Sequence, residues 1–480
     1  MISPWVMEEM NESNLGDKRL DDRILQIVSD FGERPTASIP AACGGCSELA
    51  AAYRFFDNDR VTSEKILSSH ISKTHQRIAA QEVALFVQDT SEIDLTRPKQ
   101  KVQGAGPLDR SARRGAFLHL MEAFTTDGVP LGAVWADIWA RDEESLEISA
   151  EEKQRQRKAA KIEDKESYRW IEGVQQARDV AQKCPGTKCV VISDSESDIY
   201  ELFIEPRGEI NPIQWLVRLC QNRAVLKSDD SPAGLIRQRV LAAPVRFTKQ
   251  IQVRGRTAKV SCEKRGRRQP RQDREATVEI RTTTMTLRPP YRPGEKLEKV
   301  TVNVVMVREV NPPDDDEPIE WILITTLPID TLEQVFEIIQ YYCTRWMIEL
   351  FFKTLKSGCC VENRRFEALD RLTACLAVYI IVAWRTLLVY RLGQSCPDID
   401  CETIFDPSEW KSVWVAVHRK NPPKKSPTLK VMVRLIAQLG GYVNRTNRKD
   451  PPGPQTVWLG IQRMRDLAWG WNTFGPGATR

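Results

Sequence analysis

Glu349 stands in the middle of an otherwise apolar run, YYCTRWMIELFFKTLKSG, residues 341–358. Read as one α-helix, the run puts Tyr342, Arg345, Glu349, Lys353 and Lys356 at i, i+3, i+7, i+11 and i+14, within an arc of about 80°. Trp346, Met347, Ile348, Leu350, Phe351, Phe352 and Leu355 fall elsewhere on the wheel. The helix is therefore expected to be buried round most of its circumference and to open one polar stripe. An acid, three bases and a phenol on such a stripe suit a grip on phosphates beside a metal-binding carboxylate. The same spacing of Arg345, Glu349 and Lys353 also fits a plain ion-pair ladder on a solvated face, so other acids must decide.

Two further acids follow apolar runs. EVALFVQDT is continuous and ends at Asp89, and KCVVISDSESD spills out Asp194 at its C-terminal end. Both read as central strands buried on two faces, and in α/β sheets the reactive groups gather at strand ends. Carboxylates brought together repel unless a cation lies between them, and hard divalent ions with oxygen ligands are the natural solution. Two such ions can activate a water or a 3′-hydroxyl and stabilise the leaving oxygen of a phosphodiester. Glu196 and Asp198 stand near enough to compete with Asp194, which is preferred because it comes first after the strand. The histidines, His70, His75, His119 and His418, have no ligand spacing, and Cys43 and Cys46 form a CxxC without a second pair. Any metal is expected to be held by oxygen.

The elements that must position these groups fit a chain of 480 residues, 41% hydrophobic and 28% charged, with room for two or three domains. A net charge of +5 is modest, so affinity for nucleic acid must come from clustering. The start, MISPWVMEEMNESN, lacks the basic flank and apolar core of a signal peptide, and twelve scattered cysteines give no disulfide framework. A cytosolic chain is expected. The apolar segment 372–384 is short for a membrane span and reads as a core helix.

Residues 10–70 read as short helices with basic faces at Lys18, Arg19, Arg23 and Arg54. FLHLMEAFTT and PLGAVWADIWA make a hairpin turning at Asp127 and Gly128, and IQWLVRLCQNR is a strand ending in Arg218 and Arg223. Residues 226–318 alternate like strands around a basic loop of Lys264, Arg265, Arg267, Arg268, Arg271 and Arg274, which could follow a phosphate backbone. NPPDDDEP reads as a hydrated acidic turn, and Trp321 opens the strand WILITTL that leads back to Glu349. After a helix near 428–440, the last helix lines Val457, Ile461, Met464, Ala468 and Trp471 on one side. With little left in the chain to cover it, that side is expected to meet a second copy.

The spacing Tyr342, two residues, Arg345, three residues, Glu349, six residues, Lys356 resembles the YREK signature of bacterial cut-and-paste transposases of the insertion-sequence-four family, the kind that move the composite transposon Tn-five. SIPAACGG with AAYRFF resembles that family's end-binding domain, QDTSEID its first acidic motif, SDSESDIYELF its second, and the last helix its dimerisation segment. The resemblance implies an α/β fold with a ribonuclease-H-like catalytic core, residues 71–370, interrupted by a β-rich insertion at about 226–318. Helical domains flank it: residues 1–70, binding the terminal inverted repeat through Arg23 and Arg54, and residues 371–480, for dimerisation. It further implies Asp89, Asp194 and Glu349 as a DDE triad holding two Mg²⁺ ions, with Mn²⁺ as a substitute. Tyr342, Arg345, Lys353, Lys356 and Arg218 are implied phosphate contacts, and Trp321 and Trp346 receive a flipped base. The implied partners are double-stranded DNA, as transposon ends and as target, and a second copy in a synaptic homodimer, with no membrane. The alternatives are a catalytically silent DNA-binding protein derived from a transposase, or a nuclease without strand transfer.

Overall fold

Short polar residues start the first helices where the sequence places turns. Asp17 accepts from the Arg19 amide ahead of helix Lys18–Glu33, Ser38 from the Ala41 amide ahead of Ile39–Cys43, and Thr62 from the Lys65 amide ahead of Ser63–Ala79. The computed structural model describes residues 2–476 except 98–100, 110–111, 143–148, 150, 153–154, 157–159, 229–231, 256–271, 293, 315, 317 and 444–450. Two bodies are formed, one from residues 1–160, 183–187 and 346–480, the other from residues 161–182 and 188–345.

In the first body the N-terminal helices, Cys46–Phe56 among them, precede strands β1 (Val83–Asp94), β2 (Gly106–Pro107), β3 (Arg114–Phe124) and β4 (Pro130–Trp139). β3 pairs antiparallel with β1, β2 and β4, and the β3–β4 hairpin turns at Gly128, whose φ of 75° is left-handed. β1 does not end at Asp89, as its apolar run implied. Its pairing with β3 continues from Leu85 opposite Phe124 to Asp94 opposite Gly115, and from Asp89 onward all but Ile93 are half-exposed. Asp89 is thus a mid-strand residue.

Helix Leu369–Ser395 is the spine of this body, packed on β4, Ser63–Ala79 and Lys18–Glu33. It is long and apolar enough to cross a membrane by composition, but 78% of its apolar window is buried inside the protein, which makes it a core helix. The C-terminal part corrects a second expectation. Val457, Ile461, Met464 and Ala468 of helix Pro454–Phe474 are buried within the chain, the first three in a cluster with Trp410, Val413, Met432 and Ile436. Those partners come from helices Leu429–Leu439 and Pro407–His418, the second of which the sequence reading did not expect. Trp469 and Phe474 remain exposed.

Beneath β3 and β4 lies a buried ionic cluster. Arg77 donates to both oxygens of Glu9 at 2.8 and 2.9 Å, and its guanidinium stacks on Trp384. His70 Nε2 accepts from the Ala133 amide at 2.9 Å, which leaves Nδ1 to donate to Glu9 at 2.5 Å. Burial pushes the Glu9 carboxyl up, but the bonds from His70 and Arg77 outweigh it and bring it down to about 2. Glu122, fully buried, has no hydrogen bond to either oxygen among the described residues, and burial raises its carboxyl well above the usual range despite the charge of Arg77. A carboxyl raised on folding contributes most below its unfolded value near 4.5 and loses that contribution as pH climbs toward the folded value. Glu122→Gln is therefore expected to melt higher than the parent at pH 8, by on the order of 1 kcal/mol or more, with the gap closing at pH 4–5. Equal melting shifts at both pH values would refute this.

In the second body, helix Arg169–Lys183, save its last residue, precedes β5 (Lys188–Ser193), and β6 (Gln214–Arg218) runs parallel to β5. The sheet then continues antiparallel through β12 (Glu320–Thr325), β11 (Val300–Glu309) and β10 (Arg274–Leu287), with β7 (Ala224–Val225), β8 (Gly234–Leu235) and β9 (Val245–Val253) beyond. It is a mixed sheet, and the insertion is strand-rich as its alternation implied, apart from helix Ile236–Ala242. Of the expected basic loop, Lys264, Arg265, Arg267, Arg268 and Arg271 lie outside the described residues. Arg274 is not a loop cation: it opens β10 and pairs with nearly buried Glu309 and with Asp316 at 3.3 Å. Asp316 is accordingly no hydrated turn residue.

Candidate active site

The run 341–358 is not one helix. Helix Leu332–Thr344, begun by a Thr331–Gln334 capping box, stops before Arg345; helix Trp346–Lys353 follows, then a π turn Thr354–Gly358. At each interruption a threonine hydroxyl bonds back to the preceding turn, a contact that can bend a helix. Thr344 Oγ1 donates to the Gln340 carbonyl at 3.3 Å, and Thr354 Oγ1 to that of Leu350 at 2.9 Å. The π turn closes with the Cys359 amide on the Thr354 carbonyl at 2.9 Å and presses Gly358 against the Trp458 ring. Tyr342 and Arg345 end the second body, whereas Glu349, Lys353 and Lys356 belong to the first. Trp346, expected inside, is 57% exposed.

In the second body, Asp194 stands just past β5 and caps a short 3₁₀ turn, its Oδ1 accepting from the Glu196 amide at 2.8 Å. Partial burial and the charge of Asp194 both raise the Glu196 carboxyl. Asp198 has another task. It is nearly fully buried and accepts from the Cys220 and Gln221 amides at 2.8 and 2.6 Å and from Arg223 at 2.9 and 2.6 Å. Of the three acids, it is the one already consumed by structure.

Close to Asp194 the same body brings Arg218, Tyr342 and Arg345 together. Burial raises the Tyr342 hydroxyl; Arg345 and Arg218 oppose this by charge, Arg218 also by a hydrogen bond, and Asp194 adds to the rise. Tyr342 is buried, with its ring edge-on to half-exposed Trp321 at 5.3 Å. Arg218, last in β6, also reaches the Glu320 carbonyl at 3.5 Å.

In the first body the Glu349 helix packs on β1, which carries Asp89. Both acids are half-buried, and Asp89 Oδ1 accepts from the Thr90 amide at 2.8 Å. On the opposite sheet face, His119 fixes the residues flanking Asp89, through Gln88 at 3.2 Å and Thr90 at 2.7 Å. A search for metal-ligand spacing passes over His119; strand alternation is the signal that places it opposite Thr90. Lys353 is exposed and Lys356 half-buried. Arg23 is half-buried on Lys18–Glu33, and Arg54 is exposed on Cys46–Phe56.

Within either body, among the described residues, no three His, Cys, Asp or Glu side chains form a metal-binding group. The donor set nevertheless suits a hard divalent cation: every candidate ligand is a carboxylate oxygen, and the crowding of Asp194 against Glu196 is the kind of charge such an ion relieves.

Three family models match the chain in order: Transposase DNA-binding at residues 2–61, Transposase DDE domain at 173–384, and Transposase Tn5 dimerisation domain at 381–471. The chain belongs to the Tn5-like DDE transposases. Membership of the insertion-sequence-four family is consistent with these domains. The mixed sheet and helical termini agree with a ribonuclease-H-like core, and the chain carries a DNA-binding domain, a nuclease-type DDE domain and a dimerisation domain. DDE transposase domains use divalent metal ions. Asp194 and Glu349 fall inside the DDE match and Asp89 before it; Arg23 and Arg54 fall inside the DNA-binding match. Among solved structures, the cryo-EM structure of the piggyBac transposase synaptic complex with hairpin DNA aligns over 98% of this chain and 81% of that one, at 10% identity and a TM-score of 0.38. A likeness that slight carries no functional argument.

Proposed function

We propose that this Tn5-like transposase works by cut-and-paste, with Asp89, Asp194 and Glu349 as the metal-holding carboxylates. When bound, two Mg²⁺ ions, or Mn²⁺ in their place, supply Lewis acidity and lower the pKa of a bound water. The observation that carries the reading is the grouping of Asp194 with Arg218, Arg345 and Tyr342, an acid beside cations of the kind that grip a phosphodiester. In this reading Tyr342, Arg218, Arg345, Lys353 and Lys356 hold phosphates of the cleaved strand. Trp321 and exposed Trp346 take the face of a base displaced near the cut. Arg23 and Arg54 position the terminal repeat. A water cuts one strand, the freed 3′-hydroxyl attacks the other to give a hairpin, a second water reopens it, and the 3′ ends join target DNA. The working unit is a homodimer bridging two ends in the bacterial cytosol. In function the chain divides, on this reading, into residues 1–70, 71–370 and 371–480.

Incubation with DNA bearing the element's own ends and Mg²⁺, followed on denaturing gels, is expected to yield nicks, then hairpins, then joined plasmid. Protein that shifts this DNA but never cuts it would favour a silent DNA-binding descendant. Cutting without joined product would reduce the activity to a nuclease.

A further inference from the structure

Lys356 sits in the π turn, its side chain 26% exposed, and faces four charged groups. Glu362 comes from the 3₁₀ turn Val361–Asn363, Glu92 and Asp94 from β1, and Arg113 from just ahead of β3. Arg113 already serves three of the acids in this region, donating to Glu92 at 2.8 Å and to Asp94 and Asp109 at 3.0 Å each. Glu362 is different. Its Oε1 accepts from the Asp94 amide at 3.0 Å, which fixes the carboxylate, and its ion-pair partner is Lys356, with Nζ 4.0 Å away.

We propose that Glu362 is a positioning residue for Lys356: its carboxylate, tied to the Asp94 amide, fixes the lysine ammonium where a DNA phosphate is gripped. The inference rests on the reading of Lys356 as a phosphate contact. A separation of 4.0 Å is too long for a hydrogen bond, so the pair aims the ammonium without using its three donors, which stay available to phosphate oxygens. The pair also keeps the lysine cationic. Burial lowers Lys356, and Glu362 is the largest opposing influence, ahead of Glu92. Removing the Glu362 charge therefore lets Lys356 neutralise at lower pH.

The test uses the full-length protein and fluorescently labelled element-end DNA without divalent metal, so that binding is read apart from chemistry. Lys356→Gln is expected to weaken binding about tenfold and to reduce the salt slope by about one. Glu362→Gln keeps an oxygen for the Asp94 amide, hence the fold, and is expected to weaken binding about two- to fivefold at pH 7. Its loss of binding on raising pH should begin at lower pH than in the parent. In a Lys356→Arg background, whose guanidinium stays charged, Glu362→Gln should no longer move the pH profile. A parental pH profile for Glu362→Gln, or the same shift in the Lys356→Arg background, would overturn the inference. Parental binding by Lys356→Gln would instead remove the reading of Lys356 on which it rests.

Discussion

Asp194→Asn is expected to cut element ends about a thousandfold more slowly than the parent while melting at the same temperature, and Asp198→Asn to do nearly the reverse. The two acids are four residues apart and chemically identical, so the contrast isolates environment. Asp194 is half-buried, and the bond it accepts from the Glu196 amide is a cap that asparagine can also supply. What asparagine cannot supply is a charge for a divalent ion, and a ligand acting as part of a unit takes most of the rate with it when lost. Asp198 is 3% exposed and holds two amides and Arg223, whose side chain is itself 9% exposed. An asparagine in its place would turn an NH₂ toward those donors and leave a nearly buried guanidinium unpaired, a loss of about 3–5 kcal/mol. Nicking on denaturing gels and thermal melts of both variants decide the matter. An Asp194→Asn protein that nicks at the parental rate would move the assignment to Glu196.

Where local chemistry decides, the sequence was readable. The run ahead of Asp194 is apolar from Cys189 to Ile192, and Asp194 caps a turn directly after Ser193, so strand and terminus both showed. The insertion announced itself by alternation. Asp89 was misplaced because β1 continues through Thr90, Ser91 and Glu92, residues that look like a loop until their pairing with β3 is known. The run around Glu349 has unbroken hydrophobic periodicity, so the turn at Arg345 and the π turn after Lys353 leave no mark in it. Arg274 seemed part of a basic loop because its acids lie 35 and 42 residues away. Helix Pro407–His418 is different: Asp406, Pro407 and Glu409 spell a capping box with proline at its first turn, and the signal was there to be read. Missing that helix made the last one look uncovered.

Arg364→Ala is expected to destabilise the first body by about 3–5 kcal/mol, because one buried guanidinium satisfies carbonyls from two distant segments. Arg364 is 3% exposed and stacks on Tyr379 at 4.5 Å. It donates to the Pro35 and Cys359 carbonyls at 2.5 Å each and also to that of Ala37. Pro35 and Ala37 lie in the turn between helices Lys18–Glu33 and Ile39–Cys43, both inside the DNA-binding match, whereas Cys359 closes the π turn behind Glu349. The side chain therefore ties helices of the DNA-binding match to the turn that follows the Glu349 helix. Lysine has three donors, but they sit on one nitrogen of a shorter stem, so it cannot span carbonyls that Arg364 reaches through two separate nitrogens, and it gives up the stacking on Tyr379; Arg364→Lys should recover less than half of the loss. Thermal melts and limited proteolysis measure the effect, with cleavage expected first near residues 34–38. A variant that melts with the parent would mean that those carbonyls find other donors and that these N-terminal helices are held elsewhere.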